Sequence, residues 1–371
     1  MRINFVTNQN LKVTSGGWSG INSNLYNQLK EKYELNYVGP VAPKSFLFEK
    51  IVSKTNRLLG LKGNFHFFSN KRLDLIKKIV SKEIKDSDYN FFFGQTPWVG
   101  CEFDTPYGVY LDASFLTYME IYSDPKKFNK NDLLRISGKE GKWLQKAKHI
   151  FVGSQWTWDE MIKHYDLDES QKIIVHTGGN IELPSEDIYN GELNFVFISL
   201  NFVKKGGAIC IETFKKIRAI YNNATLTIIG EKPSDDILNI EGVVYAGLLN
   251  KLDSNDLQKF RDILSGAFLL IHPTVMDTMG AVLIEAGYFG CPSIAPKSFG
   301  IPELIINNKT GLTVDVPFNS EDFSSKIINL IKNRDEYVMM RENVWKHTHS
   351  NLTWENIGSI INKHINENIN S

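Results

Sequence analysis

Short apolar runs alternate with longer amphipathic stretches along nearly the whole of this 371-residue chain, and this alternation constrains the fold more than any other feature. Residues 2–7 and 107–111 are typical of buried strands, whereas Ile21, Leu25 and Leu29 recur at the four-residue spacing of a helix. Alternation of this kind is typical of βαβ units and parallel sheets. We therefore predict an α/β fold.

The predicted strands form two groups, and a polar, turn-rich stretch at 177–193 separates them. The further strands of the first group are predicted at 90–94, 149–152 and 172–176. Those of the second group are predicted at 194–199, 224–229, 242–245, 268–271 and 292–295, with a helix at about 207–221. We interpret 177–193 as a linker between two doubly wound halves.

Composition and charge exclude several classes of protein. Lys and Arg together number 42, as do Asp and Glu, so no overall field attracts nucleic acid, and we predict no nucleic-acid partner. No run approaches the roughly 18 apolar residues that span a bilayer. Cys101, Cys210 and Cys291 are scattered, which indicates neither a zinc site nor a disulfide framework. A reducing compartment fits this pattern, and we predict a cytoplasmic protein without a bound metal.

The stretch 272–285 carries the clearest chemical signal, because a buried strand ends there in a loop that leads into a helix. Asp277 lies eight positions before Glu285, so two acids flank this loop. Gly280 allows a ligand to approach the backbone closely, and the N–H groups of 279–281 can face an anion at the helix N-terminus. The two acids can then accept hydrogen bonds from sugar hydroxyls. The alternative is that Asp277 caps the helix and Glu285 is solvated.

Three further segments follow predicted strands, where ligands of open α/β sheets bind. Lys204 and Lys205 suit a diphosphate whose charge they offset, or they form a solvated pair. Gly16 and Gly17 allow N–H groups to approach a phosphate, or they form a plain turn. Asp112 can act on an acceptor hydroxyl, orient a sugar or cap the next helix.

Taken in order, these pieces resemble the family-4 retaining glycosyltransferases of GT-B fold, over nearly the whole chain. The segments that carry the resemblance are 110–115, 152–156, 204–207, 277–286, 290–295, 300–303, 310–312 and 353–355. The resemblance implies two doubly wound Rossmann-like domains that face each other across a cleft. It places an acceptor-side domain at 1–183, a donor-binding domain at 184–351, and a C-terminal helix at 352–371 that crosses back to the first domain.

The resemblance also implies an activity. A hexose would pass from a nucleotide-diphosphate sugar to a hydroxyl of a glycan, a lipid-linked glycan or a small molecule, with retention and without metal or cofactor. The implied donor-binding residues are Gly16, Gly17, Lys204, Lys205, Tyr245, Asp277, Met279, Gly280, Ala281 and Glu285. Glu285 would bind the ribose, Asp277 the transferred sugar and the lysines the diphosphate. The implied catalytic residues are Asp277, Lys205 and Asp112.

Three positions depart from the family pattern. The first acid of the element is Asp277 where Glu is usual, Lys204 replaces the Arg of many members, and Asp112 stands near the place of a His. These departures leave two alternatives open. One is a non-catalytic GT-B subunit that binds a sugar or a partner. The other is a sugar-nucleotide epimerase, which would need more acid–base residues than the sequence offers.

The segment 43–72 is basic and rich in large apolar residues, with seven Lys and Arg against the single acid Glu49. In the family that the chain resembles, this region borders the acceptor crevice. A helix here could rest on anionic lipid headgroups and receive a lipid-linked acceptor at the inner face of a membrane. The alternative is an amphipathic helix whose apolar stripe packs on its own domain while its lysines are solvated.

Overall fold

The computed structural model of the chain describes residues 1–12 and 17–367. Within these residues the chain forms two six-stranded sheets, and all paired neighbours are parallel. The strands are β1 (Arg2–Val6), β2 (Glu34–Val38), β3 (Tyr89–Phe93), β4 (Tyr107–Leu111), β5 (His149–Val152), β6 (Lys172–Ile174), β7 (Asn194–Ser199), β8 (Thr225–Gly230), β9 (Val243–Gly247), β10 (Leu269–Ile271), β11 (Ser293–Pro296) and β12 (Gly311–Val314).

The α-helices occupy most of the connections between these strands, which is the arrangement that parallel pairing requires. They are α1 (Gly17–Lys30), α2 (Leu47–Leu58), α3 (Asn70–Glu83), α4 (Phe115–Tyr122), α5 (Lys130–Leu144), α6 (Gln155–Ile162), α7 (Gly207–Arg218), α8 (Asp235–Leu238), α9 (Ser254–Ser265), α10 (Ala281–Tyr288), α11 (Ile301–Leu304), α12 (Ser320–Lys332), α13 (Arg334–Asn351) and α14 (Trp354–Glu367). Among the described residues, no helix combines the length and the hydropathy needed to cross a membrane.

The first compact unit comprises Met1–Lys12, Ile21–His176 and the chain from Gly358 onward. Its strand order is β2-β1-β3-β4-β5-β6. Every residue of β3, β4 and β5 is buried, as expected where helices cover both faces of a parallel sheet. The spacing of Leu25 and Leu29 correctly predicted α1, because both side chains are buried in the core of this unit.

The second unit comprises Thr177–Ile357 together with the described residues 17–20. Its strand order is β12-β11-β10-β7-β8-β9, so the order reverses between β7 and β10. In open α/β sheets a crevice forms at this reversal, beyond the carboxyl ends of the two strands. The loops that follow β7 and β10 are therefore the places where this unit can hold a ligand.

The α/β prediction is confirmed, and each predicted strand agrees with an observed strand to within two residues at either end. Two observed strands, β2 and β12, were not predicted. The stretch 177–193 contains neither helix nor strand, but its first residues are fixed within the second unit. The Gly179 N–H donates to the hydroxyl of Tyr288, and its carbonyl accepts from the indole of Trp354. The stretch connects β6 of the first unit to β7 of the second, as the linker interpretation predicts, and its first residues already belong to the second unit.

Candidate active site

The loops after β7 and β10 are in direct backbone contact at Gly206. This residue precedes α7 with a φ of 80°, and a Cβ built on it would lie 2.0 Å from the carbonyl oxygen of Pro273. Only glycine combines this left-handed backbone with such a close approach. The contact brings the lysine pair of the first loop to the acidic loop of the second.

Lys205 and Asp277 form an ion pair at this junction. The ammonium group of Lys205 donates to Asp277 Oδ2 at 2.7 Å and to the carbonyl oxygen of Met276 at 2.7 Å. The same Oδ2 lies 3.1 Å from Nε2 of His272, the residue that directly follows β10. The sequence predicts that Lys205 and Asp277 bind parts of the same nucleotide sugar. In the structure their side chains are in direct contact.

The surroundings of Asp277 keep its carboxyl ionised. Burial raises the pKa of this carboxyl, but the hydrogen bond from His272 and the charge of Lys205 more than offset burial and lower the pKa to about 2. The ion pair therefore contributes its full stability above the ordinary pKa of 3.8, and the contribution is lost as the pH falls towards 2. Near neutral pH this side chain acts as a hydrogen-bond acceptor.

The alternative in which Asp277 caps the following helix is wrong. Helix α10 begins at Ala281, and its N-cap is Gly280, with a φ of 79° and no side-chain capping bond. The first N–H groups of a helix have no intrahelical partners and carry the positive end of its dipole. Met279 is buried beside this terminus. The N-terminus of α10 therefore lies where the sequence predicts an anion site, and the binding of an anion by 279–281 stays a prediction.

Glu285 lies four residues after the start of α10, about 6 Å further along the helix axis. Its side chain is only 1% exposed, so the alternative of a solvated acid is wrong. Oε1 accepts from the backbone N–H of Asn180 at 2.9 Å, and Oε2 accepts from Nζ of Lys251 at 2.6 Å. The Lys251 ammonium also lies 4.4 Å from the centre of the Phe260 ring. A buried carboxylate is thus held by a cation and a backbone donor.

The other predicted donor residues take different positions in the second unit. Lys204 is exposed, and its N–H donates to Asn201 Oδ1 in the turn after β7. Tyr245 lies in β9, where its hydroxyl donates to the carbonyl oxygen of Gly230. The neighbouring carbonyl of Ala246 accepts from Lys259, so that acceptor already has a partner.

Gly16 and Gly17 are the two glycines predicted to approach a phosphate. Gly16 lies outside the described residues. Gly17, the first residue of α1, belongs to the second unit, and a Cβ built on it would lie 3.8 Å from the Cβ of Ala281. The N-terminus of α1 therefore lies beside the N-terminus of α10. The assignment of Gly16 and Gly17 to a phosphate stays a prediction.

Asp112 directly follows β4 in the first unit and is half-buried. The N-cap of α4 is Ser114, whose hydroxyl accepts from the N–H of Thr117. The prediction that Asp112 caps this helix is therefore wrong. The other two roles, contact with a sugar or with an acceptor hydroxyl, remain predictions.

If the chain transfers a sugar from a nucleotide-sugar donor, as the resemblance implies, we expect the Asp112→Asn variant to lower the turnover number more than the affinity for that donor. This pattern marks an interaction that forms mainly in the transition state. Steady-state kinetics with a nucleotide sugar measures both quantities. As a control, Ser114→Ala should lower the free energy of unfolding by about 1 kcal/mol, because it removes the cap of α4. Equal loss of turnover and affinity in Asp112→Asn would contradict the assignment.

Three residues of the site were not predicted from the sequence. They are His272, Lys251 and Asn180. The sequence does place His272 directly before Pro273 at a strand end, which is a usable signal. Lys251 and Asn180 reach Glu285 from loops 34 and 105 positions away, so no local pattern marks them. Within residues 1–12 and 17–367, no three His, Cys, Asp or Glu side chains are grouped as metal ligands.

Helix α2 forms a separate surface of the first unit. In a packed helix the apolar side chains are buried and the polar ones exposed, and α2 shows the opposite arrangement. Ser53 is buried and donates to the carbonyl oxygen of Asn64, while Glu49 accepts from the hydroxyl of Ser69. The apolar side chains of this segment are exposed instead. They are Leu47 at 73%, Phe48 at 74%, Ile51 at 53%, Val52 at 40%, Leu58 at 78%, Leu59 at 68% and Leu61 at 57%. The alternative of an apolar stripe packed on its own domain is therefore wrong.

The sequence of the second unit matches a family of known enzymes. Residues 181–347 match the model of the family described as glycosyl transferases group 1. The uncharacterised glycosyltransferase MJ1178 of Methanocaldococcus jannaschii is 26% identical over 198 residues, which are 51% of this chain and 52% of that protein. The chain thus spans about half the length of this relative.

Solved structures match nearly the whole chain. The sucrose-phosphate synthase tll1590 of Thermosynechococcus elongatus superposes with a TM-score of 0.69 at 14% identity, covering 99% of this chain and 98% of that one. HepE (Alr3699) of Anabaena, solved with UDP and glucose, gives 0.66 at 16% identity and covers 99% and 100%. The chain therefore has the GT-B fold, as predicted. The match of residues 181–347 to the family model supports a glycosyltransferase.

Proposed function

We propose that this protein transfers a hexose from a nucleotide-diphosphate sugar to an acceptor hydroxyl, with retention of configuration and without a bound metal. The observation that carries the proposal is the Lys205–Asp277 pair at the reversal of the second sheet, beside the N-terminus of α10. We assign Asp277 to the transferred sugar, Lys205 and the N-terminus of α10 to the diphosphate, and the buried Glu285 to the ribose. UDP in the HepE structure supports a nucleotide ligand for this fold.

Each group has a distinct task in the proposed reaction. Two of the three ammonium protons of Lys205 are used by Met276 and Asp277, which leaves one N–H for the diphosphate. As the bond from sugar to diphosphate breaks, negative charge grows on the diphosphate, and Lys205, Lys204 and the N–H groups of α10 stabilise it. Asp277 accepts from a hydroxyl of the transferred sugar. Glu285 accepts from the ribose.

The remaining assignments follow from the resemblance. Backbone near Tyr245 meets the base, and Gly16 and Gly17 approach the diphosphate. Asp112 contacts the transferred sugar or the acceptor hydroxyl. The acceptor hydroxyl attacks on the face from which the diphosphate departs, and its proton passes to the departing diphosphate. The anomeric configuration is therefore retained and no covalent intermediate forms on a carboxylate.

A panel of nucleotide sugars tests the proposal. UDP-glucose, UDP-N-acetylglucosamine and GDP-mannose are each added to the purified chain, and the unfolding temperature is measured, because a bound donor stabilises by mass action. Slow hydrolysis of the bound donor is then followed by proton NMR, which also gives the configuration of the first product. Stabilisation without hydrolysis favours the non-catalytic subunit. Interconversion of the sugar favours the epimerase. Absence of any response contradicts the proposal.

We also propose that the acceptor lies at an anionic membrane surface on which α2 rests. The support is the exposed apolar face of α2 together with the exposed lysines Lys44, Lys50, Lys54 and Lys62. An amphipathic helix inserts its apolar face at the headgroup boundary while its cations attract anionic lipids. Such a surface favours a lipid-linked glycan as acceptor. The free cysteines agree with a cytoplasmic location at the inner face.

We expect the protein to co-sediment with vesicles of phosphatidylglycerol and phosphatidylcholine at low salt, and to dissociate as salt screens its lysines. Combined charge reversal at Lys50, Lys54 and Arg57 should weaken binding about 100-fold or more, because each cation contributes about 1 kcal/mol near the surface. Donor hydrolysis should be unchanged.

A second variant separates the apolar contribution from the charge. Phe48→Glu with Ile51→Glu should also abolish vesicle binding, because it removes the inserted face. The matched control is Val338→Glu with Met339→Glu, two adjacent exposed apolar residues of α13. If the control weakens binding equally, or if the wild-type chain does not bind vesicles, the membrane proposal is wrong.

A further inference from the structure

His272 has the clearest structural role that the proposed function does not yet use. It directly follows β10 and is 1% exposed. Its backbone N–H donates to the carbonyl oxygen of Ile294. This backbone bond and the strand before it fix the base of the side chain. The ring therefore has little freedom, and its Nε2 lies 3.1 Å from Asp277 Oδ2.

The two ring nitrogens of His272 differ in their surroundings. Among the described residues, the buried Nδ1 has no hydrogen-bond partner. A proton on Nδ1 would leave a buried donor unsatisfied, whereas a bare nitrogen there costs less. The proton must then be on Nε2, because a carboxylate oxygen can only accept. His272 thus donates through its Nε2–H to Asp277 Oδ2.

The two donors to Asp277 converge on one oxygen. Lys205 and His272 both donate to Oδ2, and Met276 holds Lys205 from the other side. A carboxylate held at one oxygen by two donors cannot rotate freely. Oδ1 is then the oxygen with capacity left to accept from a ligand.

We propose that His272 is a positioning residue for sugar transfer. It fixes Oδ2 of Asp277 so that Oδ1 is presented to a hydroxyl of the transferred sugar, and it leaves the diphosphate and the nucleoside untouched. This inference rests on the proposed function. It predicts that a change at His272 affects the sugar-bearing donor and spares the nucleoside diphosphate.

The kinetic test compares His272→Leu with His272→Gln. Leucine removes the donor, whereas glutamine can place an amide N–H near the position of Nε2. With the nucleotide sugar that the wild type hydrolyses, His272→Leu should lower kcat on the order of 10- to 100-fold, because a misplaced carboxylate loses its alignment. His272→Gln should recover most of this loss. Affinity for the nucleoside diphosphate alone should stay within about twofold in both variants.

Nitrogen NMR of the histidine rings gives a second measurement that needs no donor. In the wild-type protein near neutral pH, the His272 ring should show a protonated Nε2 and a bare Nδ1, and Asp277→Ala should remove this preference. A ring protonated on Nδ1 would overturn the proposal, whatever the kinetics show. So would full activity of His272→Leu, or parallel loss of nucleoside diphosphate affinity. Absence of hydrolysis by the wild type contradicts the proposed function itself, and the NMR result then still decides whether His272 holds Asp277.

Discussion

Replacement of Lys205 by alanine is expected to lower kcat/KM for sugar transfer on the order of 10²- to 10³-fold, the loss seen when one charge-stabilising donor is removed from a reaction centre. The Lys205 side chain is a quarter exposed and its ammonium group is held by Met276 and Asp277, so it meets an incoming diphosphate already in place. The variant also leaves the Asp277 carboxylate without its cation. The negative charge of this carboxylate then repels the diphosphate.

The matched control for this prediction is Lys215→Ala on α7. Lys215 is an exposed lysine paired with Glu212 on the surface, and exposed pairs of this kind contribute little to stability. We expect wild-type kinetics from it. Lys204→Ala should cause a smaller loss than Lys205→Ala, because Lys204 is exposed while Lys205 is paired with Asp277. Near wild-type rates in Lys205→Ala would show that the diphosphate binds elsewhere.

Glu285→Gln is expected to weaken the binding of a nucleoside diphosphate about 30- to 100-fold. Two ribose hydroxyls would exchange a charged acceptor for a neutral one, and hydrogen bonds to charged groups are stronger by about 1 kcal/mol each. Isothermal titration calorimetry with UDP and GDP measures the effect. The variant should remain folded, because glutamine has the shape of glutamate and Lys251, a quarter exposed, can still reach water.

Loss of stability must be separated from loss of the ribose contact, and Lys251→Met provides the means. In the single variant, Glu285 is left buried without its cation, so the free energy of unfolding should fall. The double variant, Glu285→Gln with Lys251→Met, should be more stable than Lys251→Met alone. Its affinity for the nucleoside diphosphate should stay low. If affinity returns with stability, Glu285 has a structural role only.

Much of the fold could be predicted because the central strands consist mostly of apolar residues. β3, for example, contains three consecutive phenylalanines, 91–93, and all three are buried. The two strands that were not predicted lack such a run. β2 is an edge strand in which Glu34 and Asn36 interrupt the apolar residues, and β12 begins with a glycine after a polar turn. Both are recognised only once a neighbouring strand pairs with them.

The site could be predicted only in part, because its contacts join distant parts of the chain. The sequence indicated Lys205 and Asp277 as separate signals, but their ion pair spans 72 positions and depends on the reversal of strand order. Burial of Glu285 depends on Asn180 and Lys251, which no local pattern connects to it. The exposure of helix α2 could not be predicted either. Sequence periodicity identifies its apolar stripe, but it does not show whether that stripe packs against the rest of the domain.

The backbone contact at Gly206 restricts how a site of this kind can change during evolution or in the laboratory. Any side chain at this position would collide with the Pro273 carbonyl and separate the two loops, so the spacing between cation and acid is set by the main chain. New donor preferences must then arise from side-chain substitutions that leave this main-chain contact unchanged. A library for altered nucleotide preference should therefore vary residues near Tyr245, which we assign to the base, and keep glycine at 206.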